Sequence, residues 1–291
     1  MRPKIKKVES TTICCGKLYI IPTPIGNLKD ISQRALDILQ EVQLILAENI
    51  RHTSFLLKHF NIKTQIYSLN IHNEHDKTKL IVKKLQHCIN IALVSNAGTP
   101  LINDPGYELV RACHKFGIQV VPIPGACAAI TALSASGLPT NRFCYEGFLP
   151  ATHIARCNRL EQLVYEPRTL IFYESKHRLL ATLQDITIIF GESRYIVLAR
   201  ELTKKWESIY GNTVKNIITW LQEDLTRSKG EIVLIVAGFQ IKMENVYNIA
   251  LQTLELLITN LNLSFKQAIT LTAKIHAINK KKLYQLRLKK K

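Results

Sequence analysis

From residue 18 to residue 238 the chain alternates short apolar, β-branched runs with stretches whose apolar residues recur at helical spacing, and this alternation restricts it to an α/β architecture. The runs fall at 18–21, 44–47, 91–94, 120–123, 143–148, 170–173, 196–199 and 232–236. Between the first two, Ile31, Ala35, Ile38, Leu39 and Val42 trace one helix face behind an Asp30-x-x-Gln33 cap, and Leu109, Cys113 and Phe116 trace another. Strands joined by helices predict parallel sheets with right-handed crossovers. The breaker cluster Gly137-Leu138-Pro139-Thr140, after a small-residue helix at 126–136, predicts two α/β domains, 17–138 and 139–240. Past Gly238 the strand-like runs stop. Ser264-Phe265-Lys266-Gln267 reads as a capping box opening a helix through Ala268, Leu271 and Ile275, and a further helix follows Asn279. Residues 241–291 are therefore expected to form a small basic helical module, and 1–16 a basic N-terminal extension.

Composition narrows the class. With 47% hydrophobic and 21% charged residues among 291, the chain can bury enough surface to offset its ordering entropy, which excludes disorder as its main state. Its longest apolar stretches, such as 232–238, fall far short of the roughly 20 residues needed to cross a bilayer, and no apolar segment follows the basic start. Neither a membrane span nor a secretory signal is expected. Seven cysteines, odd in number and scattered apart from Cys14-Cys15, supply no CxxC pair and no Cys/His spacing suited to zinc. Reduced thiols, a cytoplasmic location and no metal are the expectation. The net charge of +17 has two readings. Abundant isoleucine, lysine and asparagine point to compositional drift, whereas nine Lys/Arg and no Asp/Glu at 262–291 are the footprint of phosphate-backbone binding.

No GxxxxGK[ST], GxGxxG or HExxH occurs, so a P-loop NTPase and a Rossmann dehydrogenase are disfavoured. Glycine and proline instead gather at the carboxyl ends of predicted strands, where open α/β sheets bind ligands. The three loops are Pro22-Thr23-Pro24-Ile25-Gly26-Asn27, Ser95-Asn96-Ala97-Gly98-Thr99-Pro100 followed by Asn103-Asp104-Pro105-Gly106, and Pro122-Ile123-Pro124-Gly125-Ala126-Cys127-Ala128. One such loop would be an ordinary βα turn; three at one sheet edge favour a ligand site.

These loops, with 18–28, Ala47-Glu48-Asn49-Ile50-Arg51-His52-Thr53, 94–107, 131–140, Glu146-Gly147-Phe148-Leu149-Pro150, Phe172-Tyr173-Glu174-Ser175 and 199–204, resemble the ribosomal RNA small-subunit methyltransferase I family of the tetrapyrrole methylase superfamily. The resemblance spans 17–238 and, more weakly, the tail. It implies two α/β domains of the tetrapyrrole methylase type around a cleft for S-adenosylmethionine. It also implies 2′-O-methylation of a cytidine ribose in the decoding region of 16S ribosomal RNA, with the small ribosomal subunit as partner and no membrane. On this resemblance Pro24 and Gly26 lie against the methionine end of the cofactor, Gly98, Thr99 and Pro100 hold that moiety through backbone, and Cys127 takes a small hydroxyl position. Tyr173, Ala199, Gly230 and Glu231 enclose the adenosine. The chain departs from the family pattern at Asn49 and Asn96, both usually aspartate, at Ala126 and Cys127, usually proline and serine, and at Lys176, usually proline.

Methyl transfer to a ribose hydroxyl needs alignment and a proton acceptor but no acid, because the sulfonium leaves as a neutral sulfide. Candidates are Arg51, His72, Glu74, Glu201 and Lys204. His72 with Glu74 reads either as a base and its orienter or as a solvated helix-capping segment. His52 and His75 read as surface histidines, and Arg51 and Lys204 as electrostatic contacts to phosphate. Two other functions stay open, a tetrapyrrole or corrin methyltransferase and a non-catalytic RNA-binding ribosome-assembly factor. So does the oligomeric state, a homodimer included.

Overall fold

The computed structural model describes residues 16–240 and 243–289; the basic segment 1–15, with Cys14-Cys15, and Lys290 and Lys291 lie outside the described residues. Among the described residues, ten strands and eleven helices follow one another. They are β1 (Leu18–Ile21), α1 (Gln33–Glu41), β2 (Leu44–Ala47), α2 (Ile50–His59), β3 (Ile66–Ser68), α3 (Glu74–Gln86), β4 (Ile91–Val94), α4 (Tyr107–Lys115), β5 (Val120–Pro122), α5 (Ala128–Ala135) and β6 (Phe143–Phe148). Then come α6 (His153–Leu163), β7 (Thr169–Ser175), α7 (Leu179–Phe190), β8 (Tyr195–Arg200), β9 (Ser208–Thr213), α8 (Val214–Glu223), β10 (Glu231–Val236), α9 (Met243–Thr259), α10 (Phe265–Ile275) and α11 (Lys280–Lys289).

The first sheet has the order β3-β2-β4-β1-β5 and is parallel throughout. Its central strands β2 and β4 are buried at every position, as unbroken apolar runs in a parallel sheet require. Apolar clusters cover both faces, one including Leu46, Leu85 and Leu109, the other Leu39, Ile45 and Leu57. Helix α1 is opened by Ser32, whose side chain accepts the Ala35 N–H, so the Asp30-x-x-Gln33 cap is corrected: Asp30 closes a short 3-10 turn just before it.

The second sheet, β6-β7-β10-β8-β9, corrects the expectation of parallel sheets. Only β6 and β7 run parallel; β10 is antiparallel to both neighbours, and β8 and β9 form a hairpin around the 201–207 turn. One face packs on α6, α7 and α8 through residues such as Leu160, Leu183 and Ile217. The other face, with Ile171, Val197, Ala199, Val233 and Ile235, receives Ile25 and the α5 residues Ala129, Ala132 and Leu133. The small side chains of α5 thus let a helix approach a sheet closely.

The chain divides into two compact units, 1–237 and 238–291. The second has its own core of Tyr247, Leu251, Leu254, Ile269 and Leu283. The Ser264/Gln267 capping box opens α10, and the Asn279 side chain accepts the Lys281 and Lys282 N–H groups at the start of α11. Among the described residues no helix is long and apolar enough to cross a membrane.

Candidate active site

A cavity of about 770 Å³ opens between the carboxyl end of the parallel sheet and strands β7 and β10. That is within the range typical of small-molecule sites. Two ladders of interactions build it. On the first side, Thr23 and Gly98 exchange backbone hydrogen bonds at 2.9 Å each, locking the β1 loop to the β4 loop. Thr99 Oγ1 donates to the Ala126 carbonyl at 2.9 Å, tying the β4 loop to the turn before α5. Gly98 sits at φ +80°, where a side chain would be strained. Its N–H is already engaged by Thr23, so its contribution to the wall is conformation and not a free donor.

On the second side, Tyr173 Oη accepts the Ala129 N–H at 3.2 Å, at the first turn of α5, and its ring lies edge-on to Tyr145 and Phe148. Tyr145 Oη donates to Asn103 Oδ1 at 2.7 Å, joining the two sides. Lys204 Nζ lies 3.0 Å from both Glu201 Oε1 and Glu231 Oε2, and the Glu231 N–H donates to Glu201 at 2.8 Å. Burial pushes Glu201 up, but the Glu231 backbone and Lys204 outweigh it and the net shift is downward. Burial likewise opposes the charge on Lys204, and its two carboxylate partners reverse that and raise it.

One wall is acidic. Asn96 Nδ2 donates to Glu48 Oε2 at 2.7 Å, while the buried Asn96 Oδ1 has no hydrogen-bond partner. Burial pushes the Asp104 carboxyl up to about 6; the Glu48 charge adds to this and a Ser95 hydrogen bond opposes it.

Of the residues expected from sequence, Gly98, Thr99, Cys127, Tyr173, Glu201, Lys204, Gly230 and Glu231 line this one cavity. Pro24, Gly26, Pro100, Ala199, Arg51, His72 and Glu74 do not. The close neighbour of Gly26 is protein: a Cβ there would lie 2.5 Å from Lys204 Cγ and 2.8 Å from the Leu202 carbonyl oxygen. Pro100 is buried beneath its loop, and Ala199 is fully buried in the core under α5. Glu74 is corrected outright. Its carboxylate is buried and accepts the Gly106 and Leu109 N–H groups at 3.0 and 3.1 Å, capping α4, so it cannot orient the exposed His72. Exposed Arg51 lies in the first turn of α2, where Asn49 accepts its N–H; asparagine serves that cap without a carboxylate. His75 pairs with Glu108 at the surface.

Sequence reasoning passed over Glu48, Asp104, Phe148 and His177 as site residues. Asp104 stood in a quoted loop and Glu48 in a quoted motif, but only their meeting across the sheet edge makes them a pair.

A two-sheet chain with a cavity at the carboxyl edge of a five-stranded parallel sheet is the architecture of the tetrapyrrole (corrin/porphyrin) methylases, and residues 17–218 match that family. A solved relative in fold is uroporphyrin-III C-methyltransferase from Thermus thermophilus complexed with S-adenosylhomocysteine, at 14% identity, TM-score 0.52, covering 76% of this chain and 97% of that one. Much nearer in sequence is ribosomal RNA small subunit methyltransferase I of Escherichia coli O157:H7, 56% identical over 98% of this chain and 99% of that protein. The protein of the same name from Buchnera aphidicola subsp. Acyrthosiphon pisum is 54% identical over 94% and 97%. The chain belongs to the ribosomal RNA small subunit methyltransferase I family.

Proposed function

We propose that this protein transfers a methyl group from S-adenosylmethionine to the 2′-hydroxyl of a cytidine ribose in 16S ribosomal RNA of the small ribosomal subunit. One observation carries the reading: a single cavity gathers the Gly98-Thr99 loop, Tyr173, the Glu201–Lys204 turn and Gly230-Glu231 in a chain so close to proteins named for rRNA methylation.

The residues fit the cofactor at the acidic wall. A buried, unpaired Asn96 oxygen beside Glu48 and Asp104 calls for a cationic donor, and S-adenosylmethionine carries an ammonium and a sulfonium. The rings of Phe148 and Tyr173, with Val233, offer an apolar wall for its adenine. When bound, it supplies an electrophilic methyl group whose sulfur departs neutral. The chain's own work is then to align the ribose oxygen with that methyl, worth on the order of 7–11 kcal/mol, and to take up a proton. Lys204 is matched by two carboxylates, so we assign it and Glu201 to holding the wall in shape. To exposed Lys176 and His177 at the rim we assign contact with phosphate. Arg51, His72 and Glu74 are left outside the chemistry. In this reading 17–138 and 139–240 are the two lobes that hold cofactor and substrate, the basic module 241–291 grips RNA, and the work is done in the cytoplasm.

Calorimetry with S-adenosylmethionine, followed by transfer of labelled methyl to unmodified small subunits, to naked rRNA and to a porphyrinogen, tests the reading. Label on the subunit alone or on both RNAs is expected. Label on the porphyrinogen, or cofactor binding absent altogether, would overturn it in favour of a tetrapyrrole methylase or a non-catalytic RNA binder.

A further inference from the structure

Away from the cavity, the first turn of α6 faces α7 with an unusual set of side chains. His153 and Cys157 stand one helical turn apart on α6, so they share a face, and Asp185 on α7 reaches the His153 imidazole. His153 Nδ1 lies 3.0 Å from Asp185 Oδ1 and 3.6 Å from Cys157 Sγ, and one ligand atom from each of the three residues falls within 4.8 Å of the others. A tetrahedral zinc with Zn–N of about 2.0 Å and Zn–S of about 2.3 Å has N···O and N···S edges of about 3.3 and 3.5 Å. These two edges of the site are within a few tenths of an ångström of those values, and both meet at the same imidazole nitrogen.

The surroundings suit a cation at Oδ1. Asp185 is almost wholly buried, and its other oxygen, Oδ2, is held by Arg156 Nε at 2.6 Å, while Arg156 Nη1 is itself fixed by the Ala151 carbonyl at 3.2 Å. This leaves Oδ1 aimed at His153 in the way that outer-shell partners orient metal-binding carboxylates. An open groove of about 620 Å³, bordered by His153, Asp185, Gln184 and Ile188, gives access and room for a water as fourth ligand. Imidazole with thiolate selects a borderline-soft ion over Mg²⁺ or Ca²⁺.

We propose that His153, Cys157 and Asp185 bind Zn²⁺ and so clamp the start of α6 to α7. The Cys157 thiol gives up its proton to solvent as the S–Zn bond forms, His153 binds as the neutral imidazole through Nδ1, and Asp185 binds as carboxylate. The sequence pattern for zinc does not reveal this set because its third ligand comes from another helix. The residues do not border the cavity assigned to methyl transfer, so the inference stands or falls independently of that reading.

The test uses the full-length protein, reduced with a phosphine and stripped by a chelator, then titrated with Zn²⁺ against a chromophoric competitor and with Co²⁺ by absorption. One Zn²⁺ per chain is expected, with a thiolate-to-cobalt charge-transfer band. Both His153→Ala, at an exposed position, and Cys157→Ser, a near-isosteric change at a half-buried one, should keep the fold by circular dichroism, weaken Zn²⁺ by at least about hundredfold and abolish the band. Cys88→Ser should change neither. Failure of the parent protein to compete for Zn²⁺, or equal affinity in Cys157→Ser, would overturn the proposal; the first outcome leaves His153–Asp185 as an ordinary ion pair, and the second places the metal on other side chains.

Discussion

Asp104 shows how much one side chain can couple affinity to stability. With its carboxyl raised to about 6, it is mostly ionised at pH 7.5 and mostly neutral at pH 5. If its charge attracts the cofactor, the dissociation constant for S-adenosylmethionine should rise about tenfold from pH 7.5 to 5, and Asp104→Asn should flatten that profile. Stability has the opposite sign. The folded carboxyl holds a proton that the unfolded one has released between about pH 4 and 6, so stability falls as pH rises through that window and the penalty persists above it. Asp104→Asn should therefore raise Tm at pH 7.5 and lose that advantage below pH 4; an unchanged Tm together with an unchanged pH profile would remove Asp104 from the site. Gly230 makes a steric case. At φ +99°, a Cβ would fall 2.5 Å from the Glu201 carboxyl carbon. Gly230→Val should cost about 1–3 kcal/mol and lower Tm by about 2–4 °C per kcal/mol, with cofactor affinity falling as the Glu201–Lys204–Glu231 cluster shifts. Gly98 was legible because a turn's backbone constraint is written in residue type, whereas Gly230 entered through the family resemblance and Gly26 faces protein instead of the cavity. The acidic wall was not, because Glu48, Asn96 and Asp104 are brought together by strand order, which no local pattern records.

At the scale of elements, the runs that became β1, β2, β4, β5, β6, β7, β8 and β10 were visible as apolar stretches. The two strands that escaped, β3 and β9, each lie at one edge of their sheet, as do β5 and β6, which carry apolar runs. Strand β3 is three residues long, and β9 reads Ser-Ile-Tyr-Gly-Asn-Thr, half-buried and without an apolar run. An edge strand is held by pairing on one side only and needs no unbroken apolar face. The antiparallel β10 was hidden for a related reason, since strand direction comes from connectivity and not composition. Helix α4 separates a structural from a catalytic role for Glu74. Glu74→Ala would strand the buried Gly106 and Leu109 N–H groups and should cost about 1–3 kcal/mol. Methyl transfer per folded molecule should nevertheless hold at a temperature where the variant is fully folded, and His72→Ala should affect neither quantity. Loss of turnover in folded Glu74→Ala would restore it to the chemistry.

For the whole molecule, charge and core tell different parts of the story. The helical module keeps its own core, so a cut at 262 would strip α10 and α11 from α9, whereas replacing exposed lysines leaves that core in place. Lys280, Lys281 and Lys282, all converted to glutamine, should weaken RNA binding and flatten the slope of log affinity against log salt by about 0.7–0.9 for each phosphate no longer neutralised. Cofactor affinity should not move. Parallel salt lines of equal height for parent and variant would mean that the clustered charge came from compositional drift. We propose that this cavity methylates ribose. This is tested most directly by incubating unmodified small ribosomal subunits with the protein and S-adenosylmethionine, digesting the 16S rRNA to nucleosides and identifying the product by mass spectrometry. One new 2′-O-methylcytidine per subunit, at a site in the decoding region, is the expected product. A methyl group on a base, on another nucleoside, or on no part of the RNA would contradict it.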